Sequence, residues 1–151
     1  MNPNAKKPLT ILIVEDQDDL RSLLIDIMER MGGFHTVGAA DGLAGLEAVM
    51  QHLPDCVIVD VLMPQLDGFQ FVQAMRGDPQ TATIPLIVLT ALAQESNQFR
   101  GMALGADKYL LKPARPAQLI AAVREVLAIS ETQRQARQEL LAAQEPPEMH
   151  S

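Results

Sequence analysis

Ile11-Leu12-Ile13-Val14-Glu15-Asp16 is an unbroken apolar run that ends in two acids, and the same pattern returns three times further along the chain. Cys56-Val57-Ile58-Val59 ends in Asp60, Leu86-Ile87-Val88-Leu89 in Thr90, and Tyr109-Leu110-Leu111 in Lys112. Short apolar runs separated by helical spacing read as strands of a parallel sheet covered on both faces. The carboxyl ends of such strands open onto one edge, so Glu15, Asp16, Asp60, Thr90 and Lys112 are predicted to converge there. Together they supply a carboxylate cluster suited to a hard divalent cation, a central aspartate, a hydroxyl and a fixed ammonium. Those are the parts needed to handle a phosphoryl group.

The segments around these runs fit the same reading. Residues 9–14 form the first predicted strand. Asp18 or Asp19 can cap a helix whose apolar positions are Leu20, Leu23, Leu24, Ile27, Met28 and Met31, and Gly32-Gly33 ends it. A weaker strand is expected over 35–39, then Asp41 as cap for a helix carrying Leu43, Leu46, Val49, Met50 and Leu53, stopped by Pro54. The third strand covers 55–60, and Asp67 caps a helix over 69–76. Pro79 and Pro85 bracket the loop into a fourth strand at 86–89. A helix over 95–104 ends at Gly105, the fifth strand is 108–111, and Pro116 suits the first turn of a helix bearing Leu119, Ile120, Val123, Val126 and Leu127. Five βα units in series imply a three-layer α/β sandwich with right-handed crossovers.

Composition bounds the partners. With 151 residues, 48% of them hydrophobic, the chain can bury one ordinary core. Its net charge of -7 argues against sequence-independent binding to DNA or to anionic membranes, which need concentrated Lys and Arg. No apolar stretch is long enough for a membrane span, and Met1 to Lys7 lacks the apolar centre of a signal peptide, so a cytoplasmic location is expected. Cys56, inside an apolar run, reads as a small buried hydrophobe. His35, His52 and His150 are scattered and read as structural or exposed.

Both ends depart from the repeating pattern. Residues 1–8 read as a flexible tail, and 9–129 as the domain proper. Residues 131–144 contain no Gly or Pro and favour helix, yet only Leu140 and Leu141 offer an apolar anchor. This extension, 130–151, reads either as a solvated helix or as a segment that binds a partner or forms a dimer, with disorder expected from Pro146-Pro147 onward.

Singly, most of these residues have plainer explanations. Glu15, Asp16 and Asp18 could cap the first helix, and acids are common at helix starts. Thr90 suits any strand, Tyr109 a half-buried core and Lys112 a solvated terminus. Asp67 is a cap and not a ligand. Asp60 is harder to dismiss, because aspartate is disfavoured in strands.

Taken in order, Ile-Leu-Ile-Val-Glu-Asp, Val-Ile-Val-Asp with Met63-Pro64 and Asp67-Gly68, Ile84-Pro85 with Val-Leu-Thr-Ala, Gly105-Ala106-Asp107 and Tyr109-Leu110-Leu111-Lys112-Pro113 resemble the receiver domain of bacterial two-component response regulators, of the single-domain chemotaxis-regulator kind. The resemblance implies a flavodoxin-like fold, with a five-stranded parallel sheet of order 2-1-3-4-5 and five helices. It implies Asp60 as phosphoacceptor, and Mg²⁺ held by Glu15, Asp16, Asp60 and the carbonyl of Leu62. Thr90 becomes the switch hydroxyl, Tyr109 the switch aromatic and Lys112 the site cation, followed by a cis bond to Pro113. The implied partners are a sensor histidine kinase or histidine phosphotransfer protein, and a downstream protein on the face of the fourth helix, fifth strand and fifth helix. A homodimer is a further possibility. No conventional enzymatic turnover is implied beyond the domain's own phosphorylation and dephosphorylation. In receivers the residues two positions beyond the phosphoacceptor and two beyond the switch hydroxyl flank the path of the attacking water. Here they are Leu62 and Leu92.

Two other readings compete. Asp16-Gln17-Asp18 after a strand also resembles haloacid-dehalogenase-type phosphatases, but those need a further acidic pair after the lysine, and Pro113-Ala114-Arg115-Pro116 supplies none. A pseudo-receiver, a binding module without phosphorylation, would typically lack the aspartate, the acidic pair or the lysine. All are present.

Overall fold

The computed structural model describes residues 8–129 and 131–144. The flexible tail expected at the N-terminus and the disorder expected after Pro146 fall outside those residues, apart from Pro8. Strands and helices alternate as β1 (Thr10–Val14), α1 (Asp18–Arg30), β2 (His35–Ala39), α2 (Gly42–His52), β3 (Cys56–Val59), α3 (Gly68–Gly77), β4 (Leu86–Thr90), α4 (Glu95–Leu104), β5 (Lys108–Leu111) and α5 (Pro116–Leu127). A sixth helix, α6 (Glu131–Ala142), follows. Among the described residues there are thus six helices, the five expected of the domain and α6 in the extension that was expected to favour helix.

All strands pair in parallel, in the order β2-β1-β3-β4-β5. Because side chains alternate across a strand, the continuous apolar runs feed two cores at once. Leu12, Val14, Val57, Val59, Leu86 and Val88 pack with Phe71, Val72 and Met75 of α3 on one face. Ile11, Ile13, Ile58, Ile87 and Leu89 pack on the other with Leu24 and Met28 of α1 and Leu119, Val123 and Val126 of α5. Cys56 is fully buried in the second core. Among the described residues β2 pairs with β1 alone, and its mostly half-exposed or exposed side chains explain why its sequence signal was weak.

Helix ends follow local chemistry. The Asp41 carboxylate accepts from the Ala44 N–H at 2.7 Å, and Asp67 and Gln70 form a reciprocal capping box with both bonds at 2.9 Å. The cap expected at Asp18 or Asp19 is not formed. Gln17 takes that position without a side-chain bond, and Asp18 lies inside the first turn, paired with Arg21 at 2.6 Å. Acids there still favour the helix through its dipole. Leu53, at φ 43°, closes α2 immediately before Pro54. Among the described residues no helix is long and apolar enough to cross a membrane.

Candidate functional site

Backbone bonds carry the sheet's order past its last strand residues. The Glu15 N–H donates to Ala39 at 3.0 Å, that of Asp60 to Val14 at 3.2 Å, and that of Lys112 to Thr90 at 2.9 Å. The side chains that end β1, β3, β4 and β5 are thereby set on one edge. Carboxylate oxygens of Glu15, Asp16 and Asp60 lie within 4.8 Å of one another, the one such acidic group among the described residues. Glu15 and Asp60 are buried at 2% and 6% exposure, while Asp16 is exposed.

Lys112 Nζ donates to Asp60 Oδ2 at 2.6 Å and to Glu15 Oε1 at 3.0 Å. Asp60 Oδ1 accepts the Leu62 N–H at 3.1 Å. Burial alone would lower the ammonium's pKa. The hydrogen bonds and charges of Asp60 and Glu15 outweigh it and hold Lys112 above its ordinary value. Burial raises the Glu15 carboxyl; Lys112 opposes that rise, and the neighbouring Asp60 adds to it. Three carboxylates thus face one ammonium, and the all-oxygen, acid-rich donor set suits a small hard cation.

The loop after Asp60 is pressed down on the site. A Cβ on Gly68 would stand 2.4 Å from the Asp60 carbonyl oxygen and 2.6 Å from the Val61 Cα, so no side chain fits there. A close approach between backbones eight residues apart leaves no separate signal in the chain.

Thr90 is fully buried, and its Oγ1 accepts the Leu92 N–H at 3.4 Å. The Tyr109 hydroxyl donates to the Leu92 carbonyl at 2.8 Å. Leu92 therefore links the hydroxyl to the aromatic ring. The ring lies against α4 at Gly101, where an added Cβ would be 3.0 Å from it. Burial first, then the Asp60 charge, raises the Tyr109 pKa above 10.0. As this is the chain's only tyrosine and there is no tryptophan, absorbance near the tyrosinate band should titrate one group. The midpoint is expected above 10, and Asp60→Asn should bring it down by removing the carboxylate's contribution. A midpoint unmoved by Asp60→Asn would show that the ring does not sense the site. Because the folded value is the higher, the ring's share of stability is full below pH 10 and is lost as pH rises through the folded value.

The remaining expectations sort readily. Lys112–Pro113 is the one cis peptide among the described residues. Asp67 caps α3 and is no part of the acid cluster. His35 and His52 are exposed and outside that cluster, and His150 lies outside the described residues.

Comparison with known proteins assigns the class. Residues 11–124 match the family described as response regulator receiver domain, and the chain belongs to that family. It is 34% identical over 139 residues to response regulator Rre1 of Synechocystis sp., covering 92% of this chain and 60% of that one. It is 39% identical over 117 residues to the DNA-binding dual master transcriptional regulator RpaA of the same organism, covering 78% of this chain and 48% of RpaA. The solved chemotaxis protein CheY4 of Vibrio cholerae superposes with a TM-score of 0.75 at 30% identity, over 80% of this chain and 99% of that one. The chain spans about half the length of most of the curated relatives it matches. Receiver domains are signalling modules of two-component systems and not conventional enzymes.

Proposed function

We propose that this protein takes a phosphoryl group onto Asp60 from a histidine kinase or phosphotransfer protein and changes its partner-binding surface in response. The observation that carries this reading is the placement of Lys112, bonded at once to Asp60 at 2.6 Å and Glu15 at 3.0 Å beside the exposed Asp16. Glu15, Asp16, Asp60 and the Leu62 carbonyl would hold Mg²⁺. Bound there, the ion would offset negative charge on the acids and on incoming phosphoryl oxygens.

In the transfer, an Asp60 carboxylate oxygen bonds to phosphorus as the bond from phosphorus to the donor's imidazole nitrogen breaks. A carboxylate is a weak nucleophile, so alignment and charge do most of the catalysis. Lys112 stays protonated and stabilises charge on the transferring oxygens, and the Thr90 hydroxyl donates to one of them once the group is in place. An apolar groove of about 190 Å³, lined by Leu20, Leu23 and Leu24 of α1 with Pro113 and Ala114, also takes in Lys112, whose Nζ donates to Asp60. It supports an approach by the phosphodonor along α1 toward Asp60. A cytoplasmic location belongs to the same proposal.

Acetyl phosphate with Mg²⁺ is expected to label the protein once, and borohydride trapping with mass analysis should place the label on Asp60. Undiminished labelling in Asp60→Asn, or in excess chelator, would refute the assignment. The switching half rests on the Thr90–Leu92–Tyr109 link. Thr90→Ala should still accept the phosphoryl group yet lose its phosphorylation-dependent change in partner affinity across α4, β5 and α5. Equal coupling in variant and wild type counts against that half.

A further inference from the structure

α6 has no part in the chemistry above, and the family match ends before it begins. The helix nevertheless lies against α4. Its attachment is mostly polar. Arg137 Nη2 donates to Asp107 Oδ1 at 2.7 Å, and Nη1 to the Asp107 carbonyl at 3.0 Å. The Asp107 side chain has 0% exposure, and its Oδ2 accepts from Arg76 at 3.2 Å and from the Leu86 N–H at 2.8 Å. Arg137 thus grips a rigid, buried acceptor in the turn between α4 and β5, two residues before Tyr109.

Little apolar surface reinforces the grip. Leu140 is 62% exposed, and no described α6 residue joins either core. The less exposed positions Arg137, Gln138 and Leu141 fall on one helical face, with a single leucine among them. A short helix clasped through the charge-assisted bonds of Arg137, with only Leu141 half-buried among its apolar residues, can leave without unfolding the domain beneath it. The helix it covers is α4, whose Gly101 backs directly onto the Tyr109 ring.

We propose that α6 is a displaceable strap, clasped to Asp107 through Arg137, that covers α4 and restrains the α4–β5 face until a partner or the switch releases it. The link to the switch rests on the phosphoacceptor reading; the clasp itself does not. If both are right, release of α6 and occupation of the acceptor site favour each other, and each must shift the other's equilibrium by the same factor.

Hydrogen exchange of the full chain tests the clasp. In wild type the α6 amides should exchange more slowly than an unstructured segment. In Arg137→Glu, and independently in Leu141→Gln, that protection should vanish and exchange over residues 95–104 should rise, with β1 and β3 unchanged. Equal α6 protection in wild type and Arg137→Glu, or an α4 indifferent to the release, overturns the strap. The coupling is read from beryllofluoride affinity in Mg²⁺, followed by Tyr109 fluorescence. Arg137→Glu should bind at least about fivefold more tightly, the lower end of ordinary allosteric couplings. Equal affinities would leave a clasp with no bearing on the switch, against the proposal. If beryllofluoride binds neither protein, the phosphoacceptor reading falls, while exchange still decides the clasp.

Discussion

In Lys112→Ala, phosphoryl uptake by Asp60 is expected to slow about a hundred- to a thousandfold, the loss usual when one preorganised charge-stabilising donor is removed from a buried site. Among the described residues Lys112 is the cation bonded to the carboxylates of the acid cluster, at 2.6 Å from Asp60 and 3.0 Å from Glu15. Alanine removes stabilisation of the transferring oxygens and leaves two buried carboxylates side by side. The initial rate of labelling by acetyl phosphate in saturating Mg²⁺ measures the effect. A loss below about threefold, under 1 kcal/mol, would deny Lys112 a role in the transition state.

The same substitution has a signature in stability. Burial already raises Glu15, and Lys112 is the principal influence against that rise. Its removal should lift the Glu15 pKa further. For a carboxyl raised on folding, the associated stability is full below its unfolded value near 4.5 and is lost as pH rises through the folded value. Lys112→Ala should therefore lose more thermal stability relative to wild type at pH 8 than at pH 5, measured in chelator. A deficit independent of pH would mean that lost packing, not the exposed charge imbalance, is responsible.

How much of this was legible follows from where each signal lives. β1, β3 and β4 are buried on both faces, so each appears as an uninterrupted apolar run whose terminating polar residue stands out, and β5, an edge strand of intermediate burial, still keeps Tyr109-Leu110-Leu111 ahead of Lys112. Glu15, Asp60, Thr90 and Lys112 could be aligned at one edge for that reason alone. β2 is the other edge strand, and its mixed composition, with no polar residue of the site at its end, says less. The α1 cap was misplaced because Asp18 and Asp19 have the chemistry of a cap, yet the backbone starts the helix at Asp18 and leaves the cap position to Gln17. The close approach at Gly68, the seat of Tyr109 on Gly101 and the clasp of Arg137 on Asp107 were invisible for another reason. Each joins segments whose separation carries no periodic trace. The clasp spans 30 residues, and a lone arginine on a polar helix looks like any solvated cation.

The other large effect concerns how long the signal lasts. Leu62 is 52% exposed at the rim of the site, with its N–H on Asp60 Oδ1 at 3.1 Å, and Leu92 is half-buried with its N–H on Thr90 Oγ1 at 3.4 Å. Their backbones are committed to the acceptor and the hydroxyl, and their side chains have no atom that can orient water. Hydrolysis of the acyl phosphate needs a water aligned with the phosphorus. One hydrogen bond that positions it in the transition state is worth about 1 to 2 kcal/mol, or roughly tenfold in rate. The phosphorylated protein is therefore expected to decay slowly, as suits a stored signal or a relay intermediate better than a rapidly reset switch. Leu62→Asn and Leu92→Glu should each accelerate decay by about tenfold, and together by more than either alone, with Asp60 labelling retained. Decay of the trapped label after removal of phosphodonor gives the rates. A double variant that decays no faster than wild type would show that the path of water is controlled elsewhere, because both substitutions place polar groups at the rim without touching Asp60, Thr90 or Lys112.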